Sequence, residues 1–194
     1  MKNINQFIYW GLLLEILVLI FSYYESNGLV TSFFQAAARL SGRVSLLFFA
    51  LLFIYSTVNI GFEPALLTNK YILAKDFAIL HIIHWFLLAT AVNLSGFELV
   101  PSRVFGGALA YLMILILPFL LKRVFLKNIS LKWPMHIYLS YVWFIFFMTY
   151  VSRVTGKATN ITGSLSSYWL LISATIILMI WRIFKLSLQP KRKI

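Results

Sequence analysis

Six runs of apolar residues alternate along the chain with short polar segments. They fall at residues 6–24, 43–62, 77–95, 104–121, 135–152 and 166–184, each near the ~20 residues that cross a bilayer as helix. In lipid a spanning segment has to satisfy its own backbone hydrogen bonds, so each run is predicted as a transmembrane α-helix. The pattern therefore predicts an all-α integral membrane protein, a six-transmembrane helix bundle forming one domain over residues 1–194. The first run is expected to stay in the mature chain. It carries Glu15 inside its apolar stretch, has one basic residue ahead of it and lacks a small-residue cleavage site. The segment 25–42 contains most of LVTSFFQAAARLSGR and reads either as a plain connector or as a short amphipathic helix in the outer interface. Pro118 suits a kink near the end of the fourth run, and Pro134 a first-turn position in the fifth.

Charge supplies the orientation. Short cytoplasmic loops collect Lys and Arg. With the N-terminus inside, the cytoplasmic set is Lys2, Lys70, Lys75, Lys122, Arg123, Lys127, Lys132, Arg182, Lys185, Lys191, Arg192 and Lys193. The opposite set is Arg39, Arg43, Arg103, Arg153 and Lys157. The bias of 12 against 5 places both termini in the cytoplasm, most simply of a bacterial inner (cell) membrane. It also accounts for the formal charge of +12 as topology, with membrane lipids as the partners of the basic segments. No nucleic acid is expected, because the cations punctuate apolar runs and do not alternate with polar and aromatic residues on a wet surface.

Composition narrows the chemistry. The chain is 61% hydrophobic and has no cysteine, which excludes disulfides, thiolate metal sites and iron–sulfur clusters. No Gly-x-Gly-x-x-Gly or P-loop pattern occurs, and the loops are too short for a soluble domain that would hold FAD or NAD(P)H. Candidate function thus rests on polar residues inside the spans, where ionisable groups are costly. The three histidines, His81, His84 and His136, lie in or at the cytoplasmic ends of the third and fifth spans, which run in the same direction. His81 and His84 are three residues apart and share a helical face. A cofactor clamped between these two spans is geometrically possible, and neutral imidazoles with few carboxylates suit haem iron better than zinc or a di-iron centre. The competing reading is that each histidine hydrogen-bonds a neighbouring helix. Glu15, desolvated and so held protonated, could bind a quinol hydroxyl or relay a proton, or could simply bond a neighbouring span. Asp76 reads as a helix N-cap.

Several short motifs resemble the ferric-reductase-like transmembrane superfamily, and within it the haem-binding membrane subunits of periplasmic methionine sulfoxide reductase systems. Ser41-Gly42-Arg43-Val44-Ser45-Leu46 is similar to a Gly-Arg-x-Ala-Leu opening of the second span. Leu80-His81-Ile82-Ile83-His84, preceded by Leu66 to Ala74, is similar to a basic pair followed by Leu-Gly-Leu and a helical Leu-His. Trp133-Pro134-Met135-His136 is similar to Trp-x-x-Leu-His, one residue shorter. The likeness covers roughly residues 40–150. It implies one b-type haem, with His136 as one axial ligand and either His84 or His81 as the other. A second haem is not implied, because Met148, Thr149 and Tyr150 stand where those subunits carry a further histidine.

Together these readings give an expectation: a haem b-binding electron-transfer protein of the membrane, supplied by quinol or a partner flavoprotein and passing electrons to a partner or acceptor. Two of His81, His84 and His136 would hold the iron, and Arg43, with Arg39 and Arg103 nearby, would meet the propionates or lipid phosphate. The alternative is a non-haem polytopic protein, either an accessory subunit of a larger membrane complex or a small transporter.

Overall fold

The computed structural model describes residues 6–59, 64–96, 101–127, 132–156 and 164–188. They form six helices: α1 (Phe7–Glu25), α2 (Val30–Val58), α3 (Pro64–Leu94), α4 (Pro101–Lys127), α5 (Lys132–Val154) and α6 (Leu165–Ser187). All six are long and apolar enough to cross a membrane, and the protein is a six-helix, multi-pass integral membrane protein. The side chains of Arg103, Trp133 and Lys132, and residues Lys2, Lys157 and Lys191 to Lys193, lie outside the described residues.

Three helices, α2, α3 and α4, are much longer than the hydropathy pattern implied. The segment 25–42 is neither a connector nor a separate interfacial helix: the chain reverses at Asn27 and Gly28, both with positive φ, and α2 then runs unbroken from Val30. Its first turns are held by the good helix formers Ala36, Ala37 and Ala38, all buried. Likewise α3 begins at Pro64, a residue suited to a helix's first position, and not near Phe77. Asp76 is therefore no N-cap. It sits 12 residues past Pro64, buried, with neither carboxylate oxygen hydrogen-bonded. Hydropathy missed these turns because their polar residues looked like loop, yet several are satisfied locally. Thr68 bonds the Pro64 carbonyl at 2.8 Å, and Asn69 bonds the Tyr55 hydroxyl at 2.8 Å. At 29 and 31 residues, α2 and α3 extend roughly 45 Å each, well beyond the hydrocarbon thickness.

In lipid, helices associate through close packing and hydrogen bonds, since the tails are as apolar as leucine. Small residues accordingly line the closest approaches. A Cβ at Gly11 of α1 would sit 2.6 Å from Leu80 and 2.8 Å from Phe48, so its absence lets α1 settle into the α2–α3 groove. The antiparallel α2–α3 pair is the rib of the bundle, flanked by α1 on one side and α4 on the other. α5 packs on α4 and α6, with Tyr141 bonding the Gly106 carbonyl and Trp143 the Thr175 carbonyl. Between α5 and the rib lie large rings: Phe146 stands 5.4 Å from Phe49 and 6.4 Å from Phe77. That stand-off leaves room at one end of the bundle.

Candidate functional site: a histidine and arginine cavity

The room is a cavity of about 340 Å³, walled by α2 to α6. This lies at the lower end of the size range of small-molecule and cofactor sites. Its floor is apolar, with Ala110, Ile114, Val142 and Phe146, and its polar side carries His81, His84, Arg43, Arg39 and Arg153. The fold creates this mixture by simple register. Gly42 of α2 faces His84 of α3, and a Cβ there would stand 3.0 Å from the His84 Cε1 atom. One turn further along α2, Ser45 meets His81.

The two imidazoles are 5.4 Å apart between ring centroids. The His81 Nδ1 atom is hydrogen-bonded to the Ser45 hydroxyl. The His84 ring bonds the Ala38 carbonyl, and its Nδ1 is buried without a partner. Tyr111 lies over His81 with centroids 4.3 Å apart, and its hydroxyl is also buried and unpartnered. Arg43 bonds Ser167 at 2.9 Å and leaves its Nε unpartnered. Arg153 approaches the Tyr168 hydroxyl at 3.5 Å, and Arg39 is paired with Glu25. Unpaired buried polar atoms are rare in finished packing. Here three of them, on His84, Tyr111 and Arg43, belong to side chains that line one cavity.

His136 is elsewhere. It lies near the start of α5, and Val142, the first α5 residue to line the cavity, is six residues further on, about 9 Å along the helix. Its Nδ1 sits 2.7 Å from an Arg182 guanidinium nitrogen. A guanidinium can only donate, so this nitrogen must accept and the ring proton resides on Nε2. The same guanidinium bonds Thr57 at 2.7 Å and lies 4.9 Å over the Phe53 ring. The structure thus brings together His81, His84 and Arg43 and ties His136 into a separate buried knot. Arg182, expected only as a topogenic cation, is 3% exposed. A faint signal of its burial lies in its place among apolar residues inside the sixth run, before the polar tail.

Glu15 lines neither region. Its Oε1 accepts a hydrogen bond from Ser41 of α2 at 2.9 Å, in a fully buried contact. No group of three or more His, Cys, Asp or Glu side chains is arranged to hold a bare metal ion among the described residues. The donor set is instead two imidazoles on one wall, guanidinium groups beside them and an apolar floor. Imidazole and guanidinium are the group types that a haem's iron and carboxylates would use. The lining offers no opposed pair of histidines. A scan against protein-family models, a search of curated proteins and a search of solved structures each return no match. The class that stands is that of a six-helix polytopic membrane protein with a polar cavity inside one end.

Proposed function

We propose that the protein is a haem b-binding membrane protein of electron transfer, receiving electrons from quinol or a partner flavoprotein and passing them to a partner or acceptor. The observation that carries this reading is the convergence of His81, His84 and Arg43 on one cavity whose polar lining is left partly unpaired. Haem would supply the one-electron chemistry. The chain's own part is to offer imidazole nitrogen from α3, to neutralise carboxylates with Arg43 and Arg153, and to keep water out with Ile114, Val142 and Phe146. Under the charge rule the cavity end, where Arg39, Arg43 and Arg153 cluster, faces away from the cytoplasm and the His136 end faces it; His81 and His84, expected at the cytoplasmic end of their span, go with the cavity because α3 starts at Pro64 and not near Phe77. The likeness to ferric-reductase-like membrane domains supports the same reading.

A second reading has its own support, because each imidazole already has a partner within the protein: Ser45, the Ala38 carbonyl or Arg182. That is how a non-haem accessory subunit or small transporter would use its histidines. A reduced-minus-oxidised absorption spectrum of protein purified from haem-replete membranes separates the two. Haem bands that a quinol analogue reduces support electron transfer, and a flat difference spectrum leaves the non-haem reading.

A further inference from the structure

Charge around the cavity does not balance. Of the three arginines that line it, Arg39 is paired with Glu25. Arg43 and Arg153 have no carboxylate partner among the described residues, and no described Asp or Glu lines the cavity. Both side chains are half-buried, and their hydrogen bonds among the described residues go to neutral hydroxyls, Ser167 at 2.9 Å and Tyr168 at 3.5 Å. Their guanidinium carbons stand 6.0 and 5.6 Å from the centre of the same Tyr168 ring. α2 and α5 thus bring two positive charges onto the first turn of α6.

A charge inside a membrane bundle is costly unless it is paired, and a second of the same sign beside it adds repulsion. Arg153 recovers part of that cost from the free carbonyls at the C-terminus of α5, since it lies in the last turn. Arg43, midway along α2, has no such help, and its Nε is buried without a partner. An anionic oxygen would satisfy the unpaired charge and the unpaired donor together. The other walls say what carries that oxygen. Ala110, Ile114, Val142 and Phe146 form an apolar floor, and a Cβ at Gly107 would meet nothing within 4 Å. At about 340 Å³ the space lies at the small end of the range for small-molecule sites, which suits a head group on a short apolar body.

We propose that the cavity is a binding site for an amphiphilic organic anion, whose carboxylate or phosphate oxygens pair with Arg43 and Arg153 and whose apolar part lies against Ile114, Val142 and Phe146. This goes beyond the haem reading and needs no iron, because it uses only the charge and shape of the cavity. The chemistry has two sources: a free amphiphile, or the headgroup of an anionic bilayer lipid whose tails stay outside.

Calorimetric titration of octanoate into the purified protein in nonionic detergent tests this, beside octanol, which has the same chain without the charge, each corrected for uptake by empty micelles. Octanoate should saturate at one per chain and bind at least about tenfold tighter than octanol. Arg43→Leu and Arg153→Leu should each weaken octanoate about tenfold and leave octanol unchanged. Arg43→Lys, which keeps the charge, should retain octanoate binding and so separates lost pairing from lost folding. Arg182→Leu, at the other end of the bundle, should change neither ligand. Nanodiscs separate the sources. Octanoate binding that persists in phosphatidylglycerol discs identifies a free amphiphile, and binding seen in phosphatidylcholine discs but blocked in phosphatidylglycerol discs identifies a lipid headgroup. Equal affinity for octanoate and octanol, octanoate binding indifferent to both leucine variants, or no saturable octanoate binding overturns the inference. The haem reading is scored separately by the reduced-minus-oxidised spectrum: octanoate binding with a flat spectrum keeps this site and removes haem, and haem bands in protein that binds no octanoate do the reverse.

Discussion

The two ends of the bundle hold the same ingredients in opposite states. At one end Arg182, His136 and Thr57 meet over the Phe53 ring, and the guanidinium has close partners on several sides. At the other, Arg43 and Arg153 gather beside two histidines and a tyrosine around about 340 Å³ of space. There the His84 Nδ1, Arg43 Nε and Tyr111 hydroxyl have no protein partner. A buried charge that is fully engaged ties helices together, here α2, α5 and α6. Polar side chains beside unfilled space leave room for something else to bond. Unpaired atoms alone do not mark the site, since Ser56, Asp76 and Tyr138 carry them away from the cavity; what distinguishes this end is the open space beside His84, Arg43 and Tyr111.

Filling the space should break the comparison most severely. Ala110 is 3% exposed and lines the cavity floor. Ala110→Phe should lower haem uptake by about 100-fold, or about 2.7 kcal/mol, while unfolding in detergent shifts by no more than about 1 kcal/mol because the ring occupies existing space. A haem titration beside an unfolding curve checks both. Next in size is the pair of arginines. Arg182→Leu should cost about 2 kcal/mol of stability through two hydrogen bonds and a cation–π contact, leaving haem affinity unchanged. Arg43→Leu should do the reverse, costing less than about 1 kcal/mol of stability and roughly tenfold in affinity. Equal stability losses would erase the distinction between knot and site.

Smaller effects sharpen it. Gly42→Ala places a methyl 3.0 Å from the His84 ring and should cost about 1 kcal/mol. Gly107→Ala, on the cavity wall with nothing within 4 Å of its Cβ, should stabilise α4 by about 0.5 kcal/mol. Thermal melts of the two variants should therefore move in opposite directions. The smallest change is Glu25→Gln, which removes the half-exposed partner of Arg39 and should cost less than about 1 kcal/mol, with the loss shrinking as salt rises.

Much of this architecture was legible in the hydropathy pattern, and its gaps have physical causes. All six spans were visible because each must be apolar over about 20 residues. The extra turns of α2 and α3 were not, because Gln35, Arg39, Asn69 and Lys70 lower the local hydropathy while still lying in helix. His81, His84 and Arg43 could be picked out as rare polar residues at membrane depth, and equal depth along parallel spans suggested that His136 would join them. Depth alone says nothing of rotation about α5 or of a competing partner. Arg182 lies nearly five turns into α6 and was read as topology, and Ser45 and Tyr111 carry no sequence signal that separates them from other hydroxyls in apolar helices.

Haem titration into the purified protein, with His136→Ala and an Arg43→Leu, His81→Ala double variant beside the wild type, tests most directly which end is the binding site. The account predicts saturation at one haem per chain for the wild type and for His136→Ala, with no saturable binding for the double variant. Saturable binding that survives in the double variant and vanishes in His136→Ala would contradict it and move the site to the other end of the bundle.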